Sequence, residues 1–115
     1  EKDVTVIEVS ESTISTVQEG MRQAAQGYSS INSLDFSVAA KTGTAQESAN
    51  SPDHALMIAF APYDEPQISL SVMIQNGYTS SYASNLASDI LKYYFGETTL
   101  EQILNGSADG PAAGE

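Results

Sequence analysis

Apolar positions change their spacing several times along this chain, and each change marks an expected element. Val4, Val6, Ile7 and Val9 suggest a short extended lead-in. From about residue 11 to 26, Ile14, Val17, Met21, Ala24 and Ala25 recur at helical spacing. Ser10 or Ser12 can cap that helix, and Gly27 sits where a left-handed C-terminal residue belongs. Gly20 inside it costs about 1 kcal/mol relative to alanine, or marks a close contact. Tyr28 to Asp35 reads as a polar loop, Phe36 to Gln46 as a strand, and Glu47 to Asp53 as a loop containing Pro52. Ala55 to Ala61 is almost wholly apolar, which suits a central strand covered on both faces. Pro62 and Pro66 frame a turn, since neither can donate to a ladder. Ile68, Leu70, Val72 and Ile74 then alternate with Ser69, Ser71, Met73 and Gln75, as in a half-buried strand that ends at Asn76-Gly77.

Ser80 or Ser81 can cap a last main helix with Leu86, Ile90 and Tyr93 or Tyr94 as its buried stripe, and Gly96 can end it. Thr98 and Glu101 have the spacing of a capping box for one further turn carrying Leu100, Ile103 and Leu104. Three strands joined by short loops predict an antiparallel meander. The expected fold class is therefore α/β of the α+β type, an antiparallel sheet with flanking helices. One folded segment over residues 1–105 is expected, followed by a disordered Gly/Ala/Ser/Pro-rich tail at 106–115.

Composition narrows the function. The formal net charge is −11, with 15 acidic residues against Lys2, Arg22, Lys41 and Lys92. Four scattered cations make no phosphate-tracking stripe, so nucleic acid is excluded as a partner, and anionic lipid is a poor one. There is no cysteine and a single histidine, His54, which leaves no ligand cluster for zinc and no thiol chemistry. No metal and no cofactor are expected. No stretch approaches the roughly 20 apolar residues that span a bilayer as a helix.

The candidate chemistry lies in Lys41-Thr42-Gly43-Thr44-Ala45-Gln46, on the first expected strand. A lysine and two threonine hydroxyls make a place for a carboxylate beside a backbone edge, and Gly43 lets another chain approach that edge. On a strand, Thr42 and Thr44 share a face while Lys41 starts on the other, and its long stem can return the charge to the same ligand. Lys-Thr-Gly accompanies S-x-x-K and S-x-N in serine transpeptidases and β-lactamases. The order here is an apolar strand entering KTGTAQ, a polar loop, His54 to Tyr63, a second strand to Gly77, and a helix reaching Tyr93-Tyr94-Phe95. That order over residues 11–96 resembles the C-terminal part of the transpeptidase domain of class B penicillin-binding proteins, closest to the penicillin-binding protein 2 group. Ala40 stands where the family often has glycine.

The resemblance implies a peptidoglycan D,D-transpeptidase that cross-links stem peptides through a serine acyl-enzyme and is acylated by β-lactams. Lys41 and Thr44 would be its catalytic residues in this chain. Lys41, Thr42, Gly43 and Thr44 would bind substrate: the hydroxyls and ammonium hold a carboxylate, and the Thr44 N–H forms half of an oxyanion hole. The implied partners are the stem peptide, β-lactam antibiotics, and the remainder of the same transpeptidase carrying S-x-x-K and S-x-N. The implied location is the extracytoplasmic face of a bacterial membrane, anchored by an N-terminal segment outside this chain.

No serine here has a lysine three positions later, so the chain lacks the nucleophile and is expected to be inactive alone. Ser30-Ile31-Asn32 and Ser48-Ala49-Asn50 fit S-x-N in letters, but neither lies far upstream of Lys41 as the family's motif does, and both are read as loops. Asp53 and His54 lack a neighbouring nucleophile and are read as the start of a strand. Tyr93, Tyr94 and Phe95 are read as packing. Two alternatives remain open: a fragment of a class D β-lactamase or β-lactam sensor, and a non-catalytic α/β binding module.

Overall fold

A computed structural model describes residues 2–106. In chain order it contains α1 (Glu11–Ala25), α2 (Ser29–Asn32), β1 (Ala39–Ala45), β2 (His54–Ala61), β3 (Ile68–Ile74), α3 (Ser80–Tyr94) and α4 (Leu100–Leu104). The strands form one antiparallel sheet in the order β1–β2–β3, the expected meander. The expected tail at 106–115 lies, apart from Gly106, outside the described residues.

Register fixes the two faces of the sheet. Ala40, Met57 and Val72 fall on one face together with Ala55, Ala59 and Ala61. All are buried with Ala83, Ala87 and Leu91 of α3 in a single cluster. Leu56, Ile58 and Met73 point the opposite way, where Ile58 is 52% and Met73 67% exposed. The two-sided covering expected for β2 is therefore only half present among the described residues. The alternation hidden within its apolar run is real: buried positions are alanine and methionine, and the open ones are larger.

The helices depart from expectation in instructive ways. Ser10 caps α1 by accepting from the Thr13 N–H, as foreseen. Ile14 and Val17 are nonetheless exposed, and only the Ala25 end of α1 is buried. Gly27 does not adopt a positive φ; among the described glycines Gly96 and Gly106 do. The expected polar loop after it contains α2, whose Ile31 is buried. The lead-in at residues 2–9 forms no strand, and Val4, Val6 and Ile7 are exposed. β1 starts at Ala39 rather than Phe36; Phe36 packs instead on Phe95, the rings tilted at 47° with centroids 4.4 Å apart.

α3 is capped by Thr79, not by Ser80 or Ser81. Its buried face is Ala83, Ser84, Ala87, Ser88 and Leu91, while Leu86, Ile90, Tyr93 and Tyr94 are at least partly exposed. Small residues on the inner face let the helix axis come close to an alanine-rich sheet, where larger ones would hold it away. Gly96 (φ +79) ends it in a Schellman turn, with the Glu97 N–H donating to Lys92 and the Gly96 N–H to Tyr93. The capping box of α4 is Thr99 with Gln102, one residue on from the expected Thr98 and Glu101.

Candidate functional site around Lys41 to Thr44

Three contacts seat β1. The Arg22 guanidinium, in the last turn of α1, donates to the Val38 carbonyl at 3.2 Å. The main-chain N–H of Tyr63 donates to Ser37, to its carbonyl oxygen at 2.9 Å and its hydroxyl at 3.1 Å. The buried hydroxyl of Ser88 on α3 donates to the Ser30 carbonyl of α2 at 3.0 Å, which places Tyr28, the residue before α2, beside the strand.

On β1, Thr42 and Thr44 pair with Met57 and Ala55, so both threonines share the face toward α3. Lys41 and Gly43 pair with Ile58 and Leu56 and occupy the open face. The Lys41 ammonium curls back and donates to the Thr42 carbonyl at 2.8 Å. The Thr42 main-chain N–H donates to the Tyr28 phenol oxygen at 3.1 Å, and the Thr42 hydroxyl donates to the same oxygen at 3.0 Å.

Those bonds define the free edge of the strand. Tyr28 is not on β2, so the Thr42 N–H and C=O point away from the β1–β2 ladder. In an antiparallel strand the same side recurs two residues on. Thr44 therefore also turns its N–H outward. The four residues present a lysine charge, an engaged Thr42 and an outward Thr44 N–H along one edge.

Gly43 opens the face above that edge. A Cβ there would meet Leu56 Cβ at 3.6 Å, an ordinary contact, so packing within this chain does not demand glycine. Its effect is to deepen a groove of about 240 Å³ lined by Lys41, Thr42, Gly43, Leu56, Met57, Ile58, Ser71 and Val72. Behind Tyr28 lies a polar recess of about 130 Å³, bordered by Thr42, Ser81, Ser84 and Asn85. Burial pushes the Tyr28 phenol up, but the two hydrogen bonds from Thr42 and the nearby Lys41 charge outweigh it and hold the phenol below its ordinary value.

The remaining expected site residues separate from this edge. His54 Nδ1 accepts from the Asn76 N–H at 3.0 Å, and its Nε2 lies 3.0 Å from a Glu47 carboxylate oxygen. An acceptor Nδ1 puts the ring proton on Nε2, so one imidazole ties the chain after β1 and after β3 to the start of β2. His54 opens β2, as the sequence reading had it, and its ring in addition braces the strand ends. Ser30 lies in α2 rather than in a loop, with its hydroxyl buried and unpartnered, and Ser48 lies in the loop after β1. Among the described residues no group of acidic, histidine or cysteine side chains is arranged to hold a metal. Tyr28 was missed from sequence, because nothing in its local pattern signals a phenol that reaches Thr42.

Comparison with known proteins gives the family and the fold. Residues 1–92 match the family described as penicillin binding protein transpeptidase domain. The chain is 30% identical over 102 residues to the peptidoglycan D,D-transpeptidase MrdA of Acinetobacter baumannii, covering 76% of this chain and 14% of that protein. Its fold superposes on the imipenem acyl-enzyme of penicillin-binding protein A from M. tuberculosis with a TM-score of 0.68 at 27% identity, covering 76% of this chain and 20% of the other. Pseudomonas aeruginosa PBP2 in complex with WCK 5153 gives a TM-score of 0.67 at 28% identity, covering 77% and 21%. The fold is that of a serine transpeptidase domain, in part. The chain belongs to the penicillin-binding protein transpeptidase family, and it spans only a small fraction of the relatives it matches.

Proposed function

We propose that this chain forms the KTGT wall and C-terminal segment, residues 1–105, of a peptidoglycan D,D-transpeptidase of the penicillin-binding protein 2 type. The observation that carries the reading is the free edge of β1, where the Lys41 ammonium, held on the Thr42 carbonyl, shares one edge with the outward Thr44 N–H. A serine in the remainder of the same polypeptide attacks the carbonyl of a D-Ala-D-Ala peptide bond. The tetrahedral oxyanion receives the Thr44 N–H as one donor, and such a donor contributes roughly 3–4 kcal/mol to the transition state. Collapse expels the terminal D-Ala, and an amine of a second stem peptide takes the acyl group.

Lys41 and the hydroxyl of Thr44 hold the substrate's terminal carboxylate, with Thr42 beside them, and Gly43 gives the peptide room against the strand. A β-lactam places its own carboxylate on the same groups. The relatives' names point to a transpeptidase rather than to a class D β-lactamase. Location at the extracytoplasmic face of a bacterial membrane, with an N-terminal anchor, belongs to the same proposal.

The test is mass spectrometry of the complete protein after reaction with a fluorescent penicillin. Stable label is expected outside these 115 residues, on a serine followed three positions later by lysine. Label on any serine of this chain, or none at all, overturns the reading.

A further inference from the structure

We propose that Tyr28 is a positioning residue of this transpeptidase site: its phenol oxygen holds both donors of Thr42, so that Thr44 carries the free main-chain donor of the β1 edge. The inference deepens the function proposed above and rests on it.

Two donors from one residue converge on one acceptor, the Thr42 N–H at 3.1 Å and the Thr42 hydroxyl at 3.0 Å. An exposed strand edge would otherwise offer the Thr42 N–H to any extended peptide as readily as the Thr44 N–H. An acyl carbonyl could then settle one step out of register, two residues back along the strand. With the Thr42 N–H occupied, the outward donor that remains within Thr42–Thr44 belongs to Thr44. The Thr42 hydroxyl proton is spent on the same phenol.

The phenol is itself held in place. Tyr28 packs against the buried cluster, and the chain just after it is tied to α3 through the buried Ser88 hydroxyl and the Ser30 carbonyl. The main-chain carbonyl of Tyr28 accepts from the Ile31 and Asn32 N–H groups at the start of α2. A rigid acceptor of this kind fixes the direction of an edge donor rather than following it.

The experiment uses the complete protein with three variants: Tyr28→Phe, Thr42→Val and the double variant. Tyr28→Phe keeps the ring and removes the acceptor. Two quantities are read: the rate of acylation by a fluorescent penicillin, separated into binding and acylation steps, and hydrogen exchange of the Thr42 amide. Tyr28→Phe is expected to slow the acylation step about three- to tenfold, as suits the loss of one positioned hydrogen bond, and to speed Thr42 exchange with Ala59 exchange unchanged. Thr42→Val is expected to add little in the Tyr28→Phe background. Wild-type acylation and exchange rates in Tyr28→Phe overturn the inference alone, as do losses that multiply in the double variant. A wild-type protein that takes no label overturns the transpeptidase reading, and the inference with it. A uniform rise in exchange across β2 would mark a folding defect and overturn the positioning role.

Discussion

The Ser88 hydroxyl of α3 donates to the Ser30 carbonyl of α2 at 3.0 Å, and Ser88 is fully buried. This bond links the helix on the sheet to the short turn that presents Tyr28 to the KTGT strand. Ser88→Ala is expected to lower stability by about 1 kcal/mol, the usual worth of one such bond. The loss stays modest because the Ser30 carbonyl keeps the Ser33 hydroxyl at 3.0 Å. Thermal unfolding of the complete protein checks the value. A larger side chain at Ser88 should cost more, since α3 approaches the sheet through small residues.

Gly77 closes the turn after β3 under tight constraint. A Cβ there would lie 2.9 Å from Ala55 Cβ and 3.0 Å from the Ile74 carbonyl oxygen. Both neighbours belong to the sheet and neither can swing away. Gly77→Ala is therefore expected to destabilise by about 1–3 kcal/mol, and urea unfolding measures it. Gly20→Ala is the contrasting control: nothing lies within 4 Å of its added Cβ, and removing a helical glycine should stabilise by up to about 1 kcal/mol.

The strands were legible because their signals are local. Alternation over Ile68–Ile74, the apolar run over Ala55–Ala61 and the two framing prolines fix a meander whatever surrounds it. The Lys-Thr-Gly-Thr run was expected on the first strand and lies there, in β1. α3 was harder, because it offers two faces at helical spacing. The larger, with Leu86, Ile90 and Tyr93, attracts a reading based on hydrophobic size. The sheet takes the smaller, with Ala83, Ala87 and Leu91, because its own buried positions are mostly alanine and close approach fills the core. Tyr28 could not be read at all. Its role depends on a contact 14 residues along the chain, set by tertiary packing rather than by any spacing rule.

Tyr28 should titrate ahead of an ordinary tyrosine. Burial raises its pKa, while the Thr42 bonds and the Lys41 charge lower it, with a net fall from 10.0. A folded pKa below the unfolded one means that ionisation favours the folded state. That contribution is complete above the unfolded value and is lost as pH falls through the folded one. Ultraviolet titration of wild type minus Tyr28→Phe is expected to show one phenol ionising below pH 10.0. Thr42→Val should move its midpoint upward.

The central claim is that the outward N–H of Thr44 serves an acyl oxyanion, and replacement of that one donor tests it most directly. Thr44→Pro removes an N–H that the β1–β2 ladder does not use, a substitution that strand edges tolerate. Thr44→Val keeps the N–H and removes only the hydroxyl. With the complete protein and a fluorescent penicillin, Thr44→Pro is expected to acylate about 100- to 1,000-fold more slowly than wild type, with Thr44→Val between the two. Equal rates for Thr44→Pro and Thr44→Val, both folded, would contradict the account.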